Sequence, residues 1–452
     1  MSTPNLPHII IGVAPIFGHI EKFKVVGAEL VKQGYTVTFL TGVAIRDEVE
    51  KIGARFAPLT GCADFDFENR NTIYPELASL PDGIERVIWE MRTWFIDPIK
   101  DQHESLQREL RHIRQNEGED RQVIYMENNA CGASVPLIFG APDCLHPKGI
   151  IKVGTCTLTL DSIDTPPWGM GLPPYETDED RARGTAMREQ AGFMAAPIQE
   201  LWEDALRSSG VPVDSLDPVP QFLDGIGRAC DLYLQMSIPQ LEYPRSDLPE
   251  WVRFMGALPT VGRKDKELNL PAWWGEVIDA PSNRKRPIIV VSQGSVHNDP
   301  EELILPAIKG LQGLDVTVVV TLVKTAALSP EVLVPSNVRL AQFIPFDILF
   351  NHTDVLVSNG GFGTVQQALR HGVPMVLAGK SADKAETNAH AAWAGAAIDL
   401  ACQKPEPAAV RDAVCGILSD TKRRERCLEL KREYEKYDAI EVVTGAIEDL
   451  LH

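Results

Sequence analysis

The stretch "SNGGFGTVQQALRHGVPMV", residues 358 to 376, follows a short apolar run and opens a helical pattern, with Gly360, Gly361 and Gly363 at the junction and a hydroxyl at Thr364. Glycines there let a ligand approach the backbone with no Cβ in the way, and the free N–H groups of a helix start point at it. The guest this favours is an anion, most often a phosphate. A second chemical candidate is His19, in "GVAPIFGHIEKF" after the first apolar run. An imidazole exchanges a proton near neutral pH, which suits a general base. A lone histidine beside a glycine also serves as a cap or packing residue, and a glycine pair alone also makes a plain tight turn. The surrounding elements have to decide.

Residues 8 to 42 read as a strand, a glycine-containing loop, an amphipathic helix from about Ile20 to Gln33 that stops at Gly34, and a second strand from Thr36 to Leu40. Strand patterns recur at 122–126 and 150–154, with a helical pattern over 84–115. A stretch dense in Pro, Gly and acids over 162–190 reads as a long loop leading into a polar helix. After the Pro-rich "SIPQLEYPRSDLPEWVRFMGALPTVGRK" the theme repeats, with strand patterns at 287–292, 315–321, 338–341, 354–358 and 373–377. Residues 421–451 form a charged amphipathic helical segment. Such alternation implies α/β architecture with parallel sheets covered on both faces, and 452 residues exceed one core. The expected organisation is two Rossmann-like domains, 1–240 and 241–420, and a C-terminal helix, 421–452, packing back toward the first. Ligand sites lie at the carboxyl ends of such strands, so His19 and the glycine junction would face each other across a cleft.

With these motifs in place, "FIPFDILFNHTDVLVSNGGFGTVQQALRHGVPMVLAGKSADKAETNAHAAWAGAAIDL" (343 to 400) resembles the donor-binding signature of the UDP-dependent, inverting glycosyltransferases of the two-domain GT-B fold, which act on small lipophilic acceptors. "GVAPIFGHIEKF" resembles that family's catalytic loop and "LEYPRSDLPEWVRFMGALP" its interdomain linker. The resemblance makes the first domain the acceptor-binding one and the second the donor-binding one. It implies that Phe343 and Ile344 hold the uracil, that Gly360, Gly361, Gly363 and Thr364 hold the diphosphate, and that Asp383 binds sugar hydroxyls. Gly18 and Ser295 are added near the phosphates. Three positions depart from the family pattern: Asn359 replaces a phosphate-binding His, Gln367 replaces a ribose-binding Glu, and Lys384 replaces a Gln beside Asp383. Asn and Gln still hydrogen-bond their ligands but carry no charge. His19 stands at the catalytic base, and the orienting acid is expected from "QVIYMENNACGAS", where Glu127 is the one acid and Asn128 the uncharged alternate.

The resemblance therefore implies transfer of a sugar, glucose first, from a UDP-sugar to a hydroxyl of a phenol-, flavonoid-, polyketide- or sterol-type acceptor. The UDP-sugar is a co-substrate, and no further cofactor is implied. Trp89, Trp94, Phe95 and Trp168 are candidates for lining an apolar acceptor pocket, though such residues are more often core. Alternatives are a non-catalytic nucleotide-sugar-binding protein, suggested by the three departures, and a UDP-sugar 2-epimerase on the same fold. A dinucleotide oxidoreductase fits poorly, since "GVAPIFG" is not G-x-G-x-x-G. A net charge of −19 argues against nucleic acid as a partner. Eight scattered cysteines without C-x-x-C suggest reduced thiols, and no metal site is expected. Asp64 and Asp66 form a D-x-D read as surface. No signal-peptide pattern or membrane-length apolar run of roughly 20 residues is evident, so the expectation is a cytoplasmic protein.

Overall fold

The computed structural model describes residues 6–81, 83–259, 270–277, 286–294, 299–323, 328–329 and 331–452. Two parallel sheets form, each flanked by helices. The first takes β1 (His8–Gly12), β2 (Thr36–Thr41), β3 (Arg55–Pro58), β4 (Val123–Asn128), β5 (Gly149–Gly154), β6 (Leu232–Gln235) and β7 (Val252–Phe254) in the order β3-β2-β1-β4-β5-β6-β7. The second takes β8 (Ile288–Ser292), β9 (Thr317–Thr321), β10 (Val338–Ala341), β11 (Val355–Ser358), β12 (Met375–Leu377) and β13 (Ala397–Asp399) in the order β10-β9-β8-β11-β12-β13. Central strands such as "HIIIG" and "IIVVS" are buried along their whole length. Helices cover both faces of a parallel sheet, which is why these strands are apolar runs and not alternations.

Each order reverses direction once, between β1 and β4 in the first sheet and between β8 and β11 in the second. The helices that leave such a reversal part to opposite faces and open a crevice at the strand ends. His19 follows β1 and Asn128 ends β4. Gln293 follows β8 and the Gly360-Gly361 pair follows β11.

Several local expectations change. The 84–115 pattern is broken into Ile84–Met91, a wider π turn at Arg92–Ile96 and Pro98–Glu117. Pro98 has no N–H to continue the helix, and the Asp97 N–H closes the wide turn on the Arg92 carbonyl at 2.8 Å. This turns Trp94 and Ile96 inward. The 162–190 loop ends earlier, at Thr177, which caps the helix Asp178–Ser208 reciprocally with Asp180. The boundary drawn at residue 240 precedes β7, which still pairs with β6 in the first sheet. The C-terminal segment is two helices. Thr421–Tyr434 contributes Cys427, Leu430 and Tyr434 to the second domain's core, whereas Ala439–Leu451 contributes Val443, Ala446 and Ile447 to the first domain's. No helix among the described residues is long and apolar enough to cross a membrane.

The domains are fastened close to the cleft. Glu242, in the linker, accepts from His390 Nε2 at 3.1 Å, and the Tyr243 ring stacks on His390 at 3.6 Å. The Glu386 carboxylate, on the helix Lys384–Trp393, accepts from the N–H groups of Gly169 and Gly171 at 3.2 and 2.8 Å. The loop carrying Trp168 is thereby tied to the helix that begins with Asp383.

Candidate active site

Two helix starts meet in the cleft. The helix Phe17–Lys32 begins after Ile16 with no side-chain cap and no acid in its first turn. The helix Phe362–His371 begins after Gly361 in the same state, with its basic residues in the last turn. Both leave their first N–H groups without intrahelical acceptors, at the positive ends of their dipoles. Gly360 holds φ +84°, and a Cβ there would overlap the Asn388 amide, so only glycine lets the chain turn. Gly18 and Gly361 have open space where a Cβ would stand.

His19 lies one turn into the first helix, half-buried, with Nδ1 against the Asn128 amide nitrogen in a short contact. The Asn128 Oδ1 accepts from the Ala14 N–H at 3.4 Å. Burial first, and the Lys22 ammonium second, push the His19 imidazole down to about 3. The ring is neutral at physiological pH, the state in which it accepts a proton.

The expected partner for His19 was Glu127, and here the packing corrects the sequence. Successive residues of a strand point to opposite faces. Asn128 lies on the side of the His19 helix; Glu127 points away, where Lys152 Nζ stands 2.8 Å off and the Ser134 hydroxyl donates to it. Glu127 and Lys152 are both fully buried. Of the two, the residue in contact with His19 is the uncharged Asn128.

In the second domain, Asn359 is buried and its Nδ2 donates to the Gln293 carbonyl across the β8–β11 reversal. Its amide is committed to closing that crevice. Thr364 lies in the first turn of its helix, the N–H bonded to the Gly361 carbonyl at 2.9 Å. Gln367 Nε2 donates to the Leu258 carbonyl at 3.2 Å, while its buried Oε1 has no partner. That leaves an acceptor in place for a hydroxyl. Phe343 is 52% exposed, and its neighbour Ile344 is buried in the core. Ser295 lies outside the described residues.

Asp383 precedes the helix Lys384–Trp393 without capping it. Burial pushes its pKa up, against the pull of Lys384 and Lys22. Lys384 is buried and turned onto Ser381, donating to its carbonyl and hydroxyl at 3.3 and 3.2 Å; burial lowers its pKa.

Sequence reasoning missed Lys22, Asn129, Thr155 and Cys156. Asn129 Oδ1 accepts from the Thr155 N–H and hydroxyl at 3.2 and 2.8 Å, and its Nδ2 donates to Cys156 Sγ at 2.9 Å. Lys22 Nζ donates to the Thr155 carbonyl at 3.3 Å and stands 5.8 Å from the Phe362 ring centroid. A signal for Lys22 was available: it is three residues after His19, on the same helix face.

Beside the His19 loop, Ala14 and Ile16 pack against Phe65, Trp94 and Ala130, with Phe67, Tyr74, Trp89 and Phe95 around them. Trp94 is core; Tyr74 and Trp89 meet it edge-on at 5.2 and 5.5 Å. Asp64 Oδ1 accepts from the Val43 N–H at 2.8 Å, tying two loops together, and Asp66 Oδ1 accepts from the N–H groups of Glu68 and Asn69 in a local turn. Among the described residues no group of three or more His, Cys, Asp or Glu side chains has the arrangement of a metal site.

Comparison with known proteins adds three observations. A family profile described as "Erythromycin biosynthesis protein CIII-like, C-terminal domain" matches residues 307–448. The chain is 48% identical over 447 residues to UDP-glucosyltransferase avaP of Aspergillus versicolor, covering 98% of this chain and 97% of that one. It is 42% identical over 448 residues to UDP-glycosyltransferase 2 of Phaeomoniella chlamydospora, covering 98% and 96%. Among solved structures, the glycotransferase of kitacinnamycin superposes with a TM-score of 0.71 at 20% identity, covering 99% of this chain and 100% of that one.

Proposed function

The chain belongs to the UDP-sugar-dependent glycosyltransferases of the GT-B fold that act on small lipophilic natural products, and within that family we propose that it transfers glucose from UDP-glucose to an aromatic hydroxyl, with His19 as general base. The observation that carries the reading is the meeting of the neutral His19 with two uncapped helix starts, one from each domain, the second of them glycine-rich. This meeting supports a base beside an anion site, as group transfer from a sugar diphosphate requires.

In the proposed step the acceptor O–H gives its proton to His19 Nε2 while its oxygen attacks the anomeric carbon. The bond from that carbon to the β-phosphate oxygen breaks, and its electron pair leaves with UDP. Attack opposite the leaving group inverts the anomeric configuration. A lone pair on Nε2 requires Nδ1 to carry the hydrogen, which calls for Asn128 Oδ1 on Nδ1. Turning the amide over puts it there in exchange for the long 3.4 Å contact that Oδ1 accepts from the Ala14 N–H. The negative charge developing on UDP meets the N–H groups from Gly361 to Gly363 and the helix dipole. Gln367 Oε1 takes a ribose hydroxyl, Phe343 stacks on the base, and Asp383 accepts from the sugar. The half-buried aromatic wall of Phe67, Tyr74 and Trp89 beside the His19 loop favours a flat, apolar acceptor.

The test is incubation with a panel of UDP-sugars and phenolic, polyketide and sterol acceptors, read by mass spectrometry and by the anomeric coupling in proton NMR. A β-glucoside from the α-linked donor is expected. An α-linked product, or a free hexose altered at carbon 2 without any acceptor, contradicts the reading.

A further inference from the structure

Lys22 sits in the cleft where the two domains meet, held by the Thr155 carbonyl and the face of the Phe362 ring. It reaches from the first domain to the opening turn of the second domain's helix Phe362–His371: its Cε is 3.5 Å, and its Nζ 3.8 Å, from where a Cβ on Gly363 would stand. That end of a helix is the positive end of its dipole and repels an ammonium. The ammonium has three protons to donate, and the acceptor it meets among the described residues is the Thr155 carbonyl at 3.3 Å. Asp383 acts on it through space, without ion-pair contact. Helix N–H groups and an ammonium thus converge on one volume from opposite domains, and an anion between them reconciles both.

We propose that Lys22 is a ligand of the donor's diphosphate, delivered from the first domain to the group held by the second; this rests on the UDP-sugar reading above. The surroundings leave this task to Lys22. Position 359 carries an amide already bonded to the Gln293 carbonyl, and Lys384 is turned onto Ser381. The first turn Phe362–Val365 has no charge of its own. Lys22 thus gives the leaving phosphate a positive partner, and closure of the domains completes the phosphate site.

The position also couples donor to base. Lys22 lies one helical turn beyond His19, and its charge adds to burial in holding the imidazole down. A diphosphate against Lys22 neutralises that charge, so His19 becomes more basic once the donor is in place.

Isothermal titration with UDP and, separately, with uridine tests the assignment on the wild type, Lys22→Ala, Lys22→Arg and Lys22→Ala/Asn359→His. Loss of a charge-assisted contact should weaken UDP about tenfold or more in Lys22→Ala while uridine binding is unchanged. Lys22→Arg should retain most of the affinity, and Asn359→His added to Lys22→Ala should restore part of it. Unchanged UDP affinity in Lys22→Ala overturns the assignment, as does equal loss of UDP and uridine, which marks a structural role. A wild type that binds uridine but not UDP, or binds neither, defeats the donor reading itself and Lys22 with it.

Discussion

The Glu127 carboxylate lies 2.8 Å from the Lys152 ammonium, both side chains fully buried, one residue before the asparagine that touches His19. Glu127 and Lys152 are in register on neighbouring strands β4 and β5. Their pairing ties the carboxyl end of β4, which carries Asn128, to β5.

Removing one member of a buried pair strands the other charge, at a cost of about 3–5 kcal/mol. Glu127→Ala should therefore lower the melting temperature strongly, while the molecules that stay folded keep a kcat near normal. Asn128→Ala should do the opposite, lowering kcat by about tenfold or more through loss of His19 orientation with little change in melting. Thermal denaturation and initial rates on the same preparations separate the two; the reverse pattern would return the orienting role to Glu127.

UDP affinity should fall in alkaline solution. Burial brings Lys22 down to about 8, with Asp383 and Cys156 pulling it up. Below that pH the ammonium is charged; above it the free protein must take up a proton to bind, so affinity should drop by up to about tenfold per pH unit. The other groups facing it do not interfere: His19 is already neutral, and Cys156 is pushed up to about 12 and stays a thiol. Titrations from pH 7.5 to 9.5 should show the decline in wild type and not in Lys22→Arg.

Asp383→Ala should weaken UDP-glucose and leave UDP nearly unchanged, since the carboxylate is not used as a helix cap and the diphosphate is held elsewhere. Lys384→Gln should shift the choice among UDP-sugars without abolishing turnover. Calorimetry with UDP and competition among UDP-sugars read both, and equal loss of UDP and UDP-glucose in Asp383→Ala would remove the sugar contact.

What was legible in the sequence was whatever one strand or helix carries by itself. Apolar runs such as "IIVVS" marked the buried strands, and the glycines at 360, 361 and 363 marked a backbone approach site. What stayed hidden depends on neighbours. Glu127 and Asn128 are adjacent in sequence, and only the helix packed on one face of β4 decides which of them meets His19. Short edge strands such as β7 and β13, three residues each, have too little pattern to stand out. In sequence Lys22 is one more charge on an amphipathic helix, and only the second domain, by bringing Gly363 against it, sets it apart.

Chelation should leave turnover intact. Asp64 and Asp66, a D-x-D in the first domain, are engaged by backbone N–H groups, Asp64 by that of Val43 and Asp66 by those of Glu68 and Asn69. Rates measured after extensive EDTA dialysis should match untreated enzyme; inactivation reversed by magnesium or manganese would reopen that pair.

The central claim is that His19 takes the acceptor's proton. Its measurement is the rate of glucoside formation by His19→Ala with saturating UDP-glucose and a phenol, beside the affinity of the same protein for UDP. General-base catalysis of about 10²-fold or more should be lost while the UDP dissociation constant stays within about twofold of wild type, because the base acts in the transition state and does not hold the nucleotide. Near-normal turnover by His19→Ala would contradict the account.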